Sequence, residues 1–214
     1  MQSEKQKIEL PFVGIAGNIG VGKTTFTDLV SEKFGWDAYY ESVIDNPYLS
    51  DFYRNMNRWS FNLQIFFLQH RFATHMEMSE NKNGVIQDRT IYEDVEIFAR
   101  NLYKMDLMSK RDWQTYNDLF RNMTSFLKKP DLIIYLKAST DTLMSRINSR
   151  DREFERNIDP EYLHSLNISY DSWISRIKDI PVYIIESDNF NIFKEPNKLE
   201  KYCSDIKLKL EIKG

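Results

Sequence analysis

The most constraining feature of the sequence is a glycine-rich octapeptide near its start, GNIGVGKT at residues 17–24. It matches the pattern G-x-x-x-x-G-K-[ST] and follows an apolar run at 11–16, with helical periodicity directly after it. Because they lack a Cβ atom, Gly17, Gly20 and Gly22 allow consecutive backbone N–H groups to point at phosphate oxygens. The motif therefore predicts a nucleotide-binding loop. The alternative is a glycine-rich turn with an exposed lysine.

Two side chains of this loop have predicted roles. Lys23 is expected to hold the β- and γ-phosphates, and Thr24 to ligate a Mg²⁺ ion that accompanies ATP. The ATP-binding residues predicted here are Gly17, Asn18, Ile19, Gly20, Val21, Gly22, Lys23, Thr24 and Thr25.

Short apolar runs recur along the chain with helical periodicity between them. This alternation predicts an α/β fold of the P-loop NTPase type, a five-stranded parallel sheet flanked by helices. A length of 214 residues fits a single domain, 1–214. The predicted strands are 11–16, 38–40, 85–87, 132–136 and 182–185.

The bulk composition limits the partners. A net charge of −3 gives no general attraction for a polynucleotide. The lone Cys203 cannot form an internal disulfide, and no apolar run is long enough for a membrane span or a signal segment. We expect a cytoplasmic protein with small-molecule partners, no membrane association and no nucleic acid.

Two carboxylates follow predicted strands, and the carboxyl ends of parallel strands are where ligands gather. Asp88 closes VIQD and has the position of a second Mg²⁺ support, directly or through water. Glu41 closes DAYYE and remains for proton chemistry, which favours a neutral hydroxyl as phosphate acceptor. The alternative for both is an acidic cap on the following helix, and Arg89 next to Asp88 could form a plain surface salt bridge.

The polar segment 149–159 is interpreted as a mobile loop or lid, and Arg146, Arg150 and Arg152 lie in or beside it. Arg146 and Arg150 share a helix face and Arg152 follows, so their guanidinium groups could close over a triphosphate. Interleaved acidic residues allow the alternative of a solvated salt-bridge face. The stretch 46–80 has aromatics at helical spacing and is expected to form a pocket wall.

Four stretches together resemble the deoxyribonucleoside kinase family, the group of deoxycytidine, deoxyguanosine and deoxyadenosine kinases. They are GNIGVGKTT, then ESVIDNPYLSDFY with WSFNLQIFFLQHR, then QDRTIYEDVEIF, then RINSRDREFE leading into DPEYLHSLNISYDSW. The resemblance covers nearly the whole chain. It implies transfer of the γ-phosphoryl group of ATP to a nucleoside 5′-hydroxyl, and a homodimer that associates through helix faces.

The resemblance also implies residue roles. Glu41 would be the base for the 5′-hydroxyl, with Arg89 in the same region and Lys23 on the phosphates. Arg146, Arg150 and Arg152 would be lid arginines that bind ATP. The implied nucleoside-binding residues are Glu41, Phe52, Tyr53, Gln64, Phe67, Arg71, Arg89, Asp94, Phe98 and Glu155.

Within that set, Tyr53 and Glu155 would hold the 3′-hydroxyl, Gln64 the amide edge of the base, and Phe98 would stack on the ring. Without the resemblance, Phe52, Phe67 and Phe98 would be interpreted as ordinary core. Gln64, Arg71 and Asp94 would be interpreted as polar residues on helix surfaces.

Small departures from the family pattern affect which nucleobase the acceptor is expected to carry. Asp88 stands where a glutamate is common, and Phe67 stands where some relatives have a smaller residue. The run DNPYL at 45–49 resembles the bacterial purine-preferring branch. We expect deoxyadenosine or another purine deoxynucleoside as acceptor, with deoxycytidine also possible. A nucleoside monophosphate kinase and a non-enzymatic nucleotide-binding regulator remain as alternatives.

Overall fold

A parallel sheet forms the centre of the molecule. The computed structural model describes residues 10–40, 46–156, 158–188 and 195–211, and within them the sheet has five strands in the order β2-β3-β1-β4-β5. Each neighbouring pair is parallel. The strands are β1 Phe12–Ala16, β2 Asp37–Tyr39, β3 Val85–Asp88, β4 Leu132–Lys137 and β5 Val182–Glu186. The five strands predicted from the apolar runs are confirmed.

Helices connect the strands and cover the sheet. They are α1 Lys23–Phe34, α2 Leu49–Arg54, α3 Met56–Ser79, α4 Ile91–Glu93, α5 Arg100–Lys104, α6 Lys110–Thr124, α7 Thr140–Arg150, α8 Pro160–Arg176 and α9 Pro196–Glu211. A π-helical segment, Asp94–Ala99, joins α4 to α5, and a 3₁₀ turn, Glu153–Glu155, follows α7.

Local capping explains several helix boundaries. Asn55 interrupts the aromatic stretch because its side chain accepts a hydrogen bond from the amide of Arg58 at 3.1 Å, and this cap separates α2 from α3. Ser139 caps α7 in the same way, and Asp159 followed by Pro160 starts α8. Gly35, with φ of +67°, ends α1 in the left-handed conformation that glycine adopts without strain.

The strand order indicates which edge of the sheet can bind a ligand. β1 lies at the centre, with β3 on one side and β4 on the other, so the connections diverge after β1. Such a switch point leaves a crevice at the carboxyl ends of the strands, where α/β proteins bind ligands. Ile15 pairs with Asp88, so the end of β3 lies beside the loop that follows β1.

The segment predicted as a plain mobile loop, 149–159, contains more structure than expected. Its first two residues end α7, and the 3₁₀ turn follows. Ile158, within this segment, is 4% exposed and belongs to the main apolar cluster, so this part of the segment is core. One apolar residue without a periodic neighbour gave no pattern from which this burial could be predicted.

Across the described ranges, none of the helices combines the length and apolarity that a bilayer crossing would need.

Candidate active site

The glycine-rich loop has the backbone conformation that its sequence predicted. Gly17 has φ of +151°, and a Cβ there would lie 2.7 Å from the carbonyl oxygen of Leu136. Gly20 has φ of +85°, and a Cβ there would lie 2.8 Å from Cγ1 of Ile147. Larger residues would therefore strain the backbone and push the loop away from β4 and α7. α1 begins at Lys23, directly after this loop, so its amino end faces the crevice.

Thr24 and Asp88 form a pair of oxygen donors at the start of α1. The Thr24 hydroxyl donates to Oδ2 of Asp88 at 2.6 Å, and Asp88 is only 4% exposed. Its other oxygen, Oδ1, is buried and accepts no hydrogen bond from any described residue. A hydroxyl beside a buried carboxylate fits a Mg²⁺ ion, which takes one or two protein oxygens and completes its shell with phosphate and water.

A cavity of about 600 Å³ opens beside the loop. Most of the predicted site residues line it, namely Ile19, Gly20, Gly22, Lys23, Thr24, Thr25, Phe52, Tyr53, Gln64, Phe67, Arg71, Asp88, Arg89, Asp94, Phe98, Arg150, Arg152 and Glu155. Gly17, Asn18, Val21 and Arg146 are predicted site residues that are not in this lining. Glu41, the predicted base, lies outside the described residues; its neighbour Tyr40 forms part of the wall.

Buried polar side chains of α3 line part of the cavity. Gln64 is 2% exposed, and its Oε1 accepts no hydrogen bond from the described part of the chain. Arg71 is 5% exposed and its Nε lies 2.5 Å from Oδ2 of Asp94. The interpretation of these three as surface polar residues is therefore wrong. A buried amide that faces a cavity is suited to paired hydrogen bonds with a ligand, because an unmet polar group is costly.

Arg89 lies between Arg71 and the glycine-rich loop. It is 2% exposed and adopts a left-handed backbone with φ of +67°. Its guanidinium lies 4.3 Å above the ring of Phe98, and Nη1 lies 3.7 Å from Oε2 of Glu93. The alternative of a surface salt bridge beside Asp88 is wrong, because this arginine is buried. Arg71 donates to the carbonyl oxygen of Arg89 at 3.1 Å, which connects the two arginines.

Glu93 belongs to the site although the sequence reasoning did not select it. Its carboxylate is fully buried and accepts from the Thr90 amide at 2.9 Å, the Tyr170 hydroxyl at 2.7 Å and the Gly17 amide at 3.3 Å. Burial raises the pKa of Glu93, and the positive charges of Arg89 and Lys23 oppose that rise. The Thr90-x-x-Glu93 spacing is a capping-box signature, which could have indicated that Glu93 turns back toward the chain.

The three predicted lid arginines differ in position. Arg150 forms a forked pair with Glu155, with Nε at 2.7 Å and Nη2 at 2.5 Å from the carboxylate oxygens. Nη1 of Arg152 lies 3.8 Å from the same carboxylate. Arg146 instead donates to the carbonyl oxygens of Val21, at 2.9 Å, and Ser187, at 2.6 Å. Arg146 thus supports the loop from behind, while Arg150 and Arg152 face the cavity.

Four further residues line the cavity without having been predicted. They are Tyr40, Leu49, Leu63 and Tyr162. The hydroxyl of Tyr40 donates to Asp28 at 2.5 Å, and burial together with this bond raises the pKa of Tyr40 to about 12. The aliphatic residues and Tyr162 are ordinary core types, and only their place in the fold brings them to the cavity.

Comparisons with known proteins agree with this geometry. The family model "Deoxynucleoside kinase" matches residues 13–210. The chain is 36% identical over 196 residues to "Deoxyadenosine/deoxycytidine kinase" of Bacillus subtilis (strain 168), covering 91% of this chain and 90% of that protein. It is 38% identical over 197 residues to "Deoxyadenosine kinase" of Dictyostelium discoideum, covering 92% and 79% of the two chains.

A solved structure of M. mycoides deoxyadenosine kinase with bound dATP superposes with a TM-score of 0.80 at 29% identity. The match covers 91% of this chain and 99% of that one. The same protein has also been solved with dCTP, where the TM-score is 0.78.

Proposed function

The chain belongs to the deoxynucleoside kinase family, and on that premise we propose that its preferred acceptor is a purine deoxynucleoside, deoxyadenosine first. As a member of this family it is an ATP-dependent kinase that phosphorylates deoxynucleosides in salvage. Family membership argues against both alternatives, a monophosphate kinase and a non-enzymatic regulator.

One observation carries the proposal about the acceptor. The phosphate loop and the buried amide of Gln64 line the same cavity, with the Arg71 and Asp94 pair beside that amide. An amide side chain can donate and accept in parallel, which suits the N1 and N6 edge of adenine and the N3 and N4 edge of cytosine. Relatives named for deoxyadenosine, deoxycytidine and deoxyguanosine support an acceptor of this group.

The reaction needs one proton transfer and one phosphoryl transfer. We assign Glu41 as the group that takes the proton of the 5′-hydroxyl while the oxygen attacks the γ-phosphorus and the bond to the bridging β,γ-oxygen breaks. Lys23 and the loop amides would hold the transferred and leaving phosphates, and Arg150 and Arg152 would stabilise charge on the transferred group. Thr24 and Asp88 are the residues that fit Mg²⁺, which when bound neutralises phosphate charge.

The aromatic side of the cavity supports selection of the sugar. Phe52 and Tyr53 pack edge to face, with ring centroids 5.2 Å apart, and both line the cavity. Glu155, which is 5% exposed, lines it too and would bind the 3′-hydroxyl together with Tyr53. Rings packed around the sugar leave little room for a 2′-hydroxyl.

Initial rates at saturating ATP test the acceptor. We expect kcat/KM for deoxyadenosine to exceed that for thymidine and for adenosine by at least about tenfold, the size of discrimination that one mismatched polar or steric contact gives. Thymine presents a carbonyl oxygen where adenine presents an amine, and it therefore reverses the donor and acceptor pattern that the Gln64 amide would meet. The panel is deoxyadenosine, deoxyguanosine, deoxycytidine, thymidine and adenosine. Thymidine or adenosine as the best substrate would contradict the assignment.

We also propose a cytoplasmic homodimer that associates through the outer face of α3 and α6. Large apolar side chains are exposed on these helices or directly after α6: Met76 at 39%, Leu119 at 41% and Phe126 at 65%. Phe72 of α3 contacts Phe126, just after the end of α6, edge-on with ring centroids 6.0 Å apart, and α3 itself packs against α6. An exposed apolar surface of this kind favours a protein partner, and the family resemblance favours a second copy.

Sedimentation analysis tests the dimer. We expect the wild-type chain to sediment as a dimer at micromolar concentration and Leu119→Asp to sediment as a monomer, because a buried carboxylate opposes association. Ile168→Asp is the matched control, since Ile168 is 58% exposed on α8, a helix that is not part of the proposed interface. A wild-type monomer, or equal behaviour of the two variants, would contradict this interface.

A further inference from the structure

Tyr170 of α8 lies in a buried cluster that connects the glycine-rich loop to the segment after β3. The cluster contains Arg89, Glu93 and Tyr170, which are at most 2% exposed, and the backbone of Gly17. Gly17 opens the phosphate loop, and Arg89 follows the end of β3. The hydroxyl of Tyr170 lies between these two segments, although it comes from a third region of the chain.

The hydroxyl has more partners than it has protons. It accepts from Nη1 of Arg89 at 2.8 Å. It lies 2.9 Å from the carbonyl oxygen of Gly17 and 2.7 Å from Oε2 of Glu93. A phenol has one proton to donate, so it can satisfy only one of these two oxygens at a time. Burial raises the pKa of Tyr170 well above its usual value, so the proton stays on the phenol at neutral pH.

Glu93 closes the cluster on the loop side. It accepts from the Gly17 amide as well as from Tyr170, and it lies near the guanidinium of Arg89. A movement of the loop backbone at Gly17 would therefore change which oxygen, that of Gly17 or that of Glu93, accepts the hydrogen bond from the Tyr170 hydroxyl. That change would in turn alter the hydrogen bond that holds Arg89.

Arg89 carries the connection to the base side of the cavity. Its guanidinium lies over Phe98, and its carbonyl oxygen accepts from Arg71. A continuous set of hydrogen bonds thus runs from the phosphate loop through Tyr170 to the residues around the predicted base. Coupling between two sites requires a physical element that both can bias, and a hydroxyl with two competing acceptors is such an element.

We propose that Tyr170 is a positioning residue that makes nucleoside binding and triphosphate binding depend on each other. This inference rests on the proposed kinase function. The side chain does not line the cavity, so it acts through Arg89 and Gly17 and not by touching a substrate.

The decisive variant is Tyr170→Phe, which removes one hydroxyl and keeps the ring. The ring stacks on Tyr135 with centroids 5.5 Å apart, so Tyr135→Phe is the matched control. It removes a neighbouring hydroxyl that bonds to Asp171 at 3.3 Å, outside the cluster. Both variants leave the same aromatic packing.

The experiment measures the Kd of deoxyadenosine by calorimetry with and without a non-hydrolysable ATP analogue and Mg²⁺. In the wild type and in Tyr135→Phe we expect the analogue to tighten nucleoside binding by about fivefold or more, the lower range of typical site coupling. In Tyr170→Phe we expect less than about a twofold change, and a kcat lower by about tenfold, as for one hydrogen bond lost at the transition state. Glu93→Gln is a second variant with the same expected loss of coupling.

A wild type without coupling would overturn the proposal, as would Tyr170→Phe and Glu93→Gln with wild-type coupling. A purely structural role would lower thermal stability and leave the ratio of the two Kd values unchanged. Failure of the wild type to phosphorylate any nucleoside is a different result, because it would overturn the proposed function itself.

Discussion

Replacing Glu41 with glutamine is expected to lower kcat by about 10²- to 10⁴-fold, the range that a general base contributes. Glutamine keeps the size of the side chain and cannot take the proton of the 5′-hydroxyl. Since we assign the triphosphate to the loop and Lys23, we expect the affinity for ATP to change little. Steady-state kinetics with deoxyadenosine, together with ATP binding measured by calorimetry, give both quantities.

The control for this variant is Asp37→Asn, the same chemical change at the other end of β2. Asp37 is exposed and accepts a hydrogen bond from Asn81 at 2.9 Å, away from the cavity. Its kcat should remain within about twofold of the wild type. Unchanged turnover in Glu41→Gln would remove Glu41 from the mechanism.

Truncating Arg150 to alanine is expected to lower kcat by about 10²- to 10³-fold, the cost of removing one donor from developing charge. An arginine that acted only on the transferred phosphate would leave the affinity for the nucleoside almost intact when removed. The forked pair between Arg150 and Glu155 changes this expectation, because Glu155 is the predicted partner of the 3′-hydroxyl. Losing this largely buried ion pair should raise the KM for the nucleoside by about two- to fivefold.

Arg156→Ala is the matched control for the lid. Arg156 forms a forked pair with the exposed Asp151, at 2.8 and 2.9 Å, in the same turn. Its loss should leave both kcat and KM near wild-type values, because neither residue lines the cavity. An Arg150→Ala enzyme whose only defect is in nucleoside KM would show that Arg150 serves Glu155 and not the transferred phosphate.

The fold could be predicted because its signals are local. Buried parallel strands are continuous apolar runs, and the glycine-rich loop fixes the direction of β1 relative to α1. The register of Ile15 with Asp88 then follows from the sheet and brings Asp88 to Thr24. These steps need no knowledge of distant contacts.

The residues proposed to bind the nucleobase could not be identified from sequence patterns alone. Ser60, Gln64, Arg71 and His75 recur at helical spacing and are all buried on α3. Periodicity shows that they share a face, but polar residues on one face normally indicate solvent. Only the packing of α3 against the rest of the fold shows that this face is enclosed, and the family resemblance was needed to assign Gln64 a role.

The cluster around Tyr170 was not accessible from the sequence for a different reason. Its hydroxyl and the carbonyl oxygen of Gly17 are 153 positions apart along the chain. A tyrosine at helical spacing within α8 is indistinguishable from an ordinary core aromatic. Contacts of this range depend on the tertiary fold, which no local pattern encodes.

The π-helical segment Asp94–Ala99 has a consequence for how base choice can be altered. A π turn contains about one residue more than a regular helical turn. The side chains before and after it therefore point in directions that a regular helix would not give them. Asp94 and Phe98 reach the cavity from within this widened turn. Deleting a single residue here would restore regular winding and swing one of the two side chains away. Length variation at this turn is therefore a route to new acceptors that point substitutions do not sample.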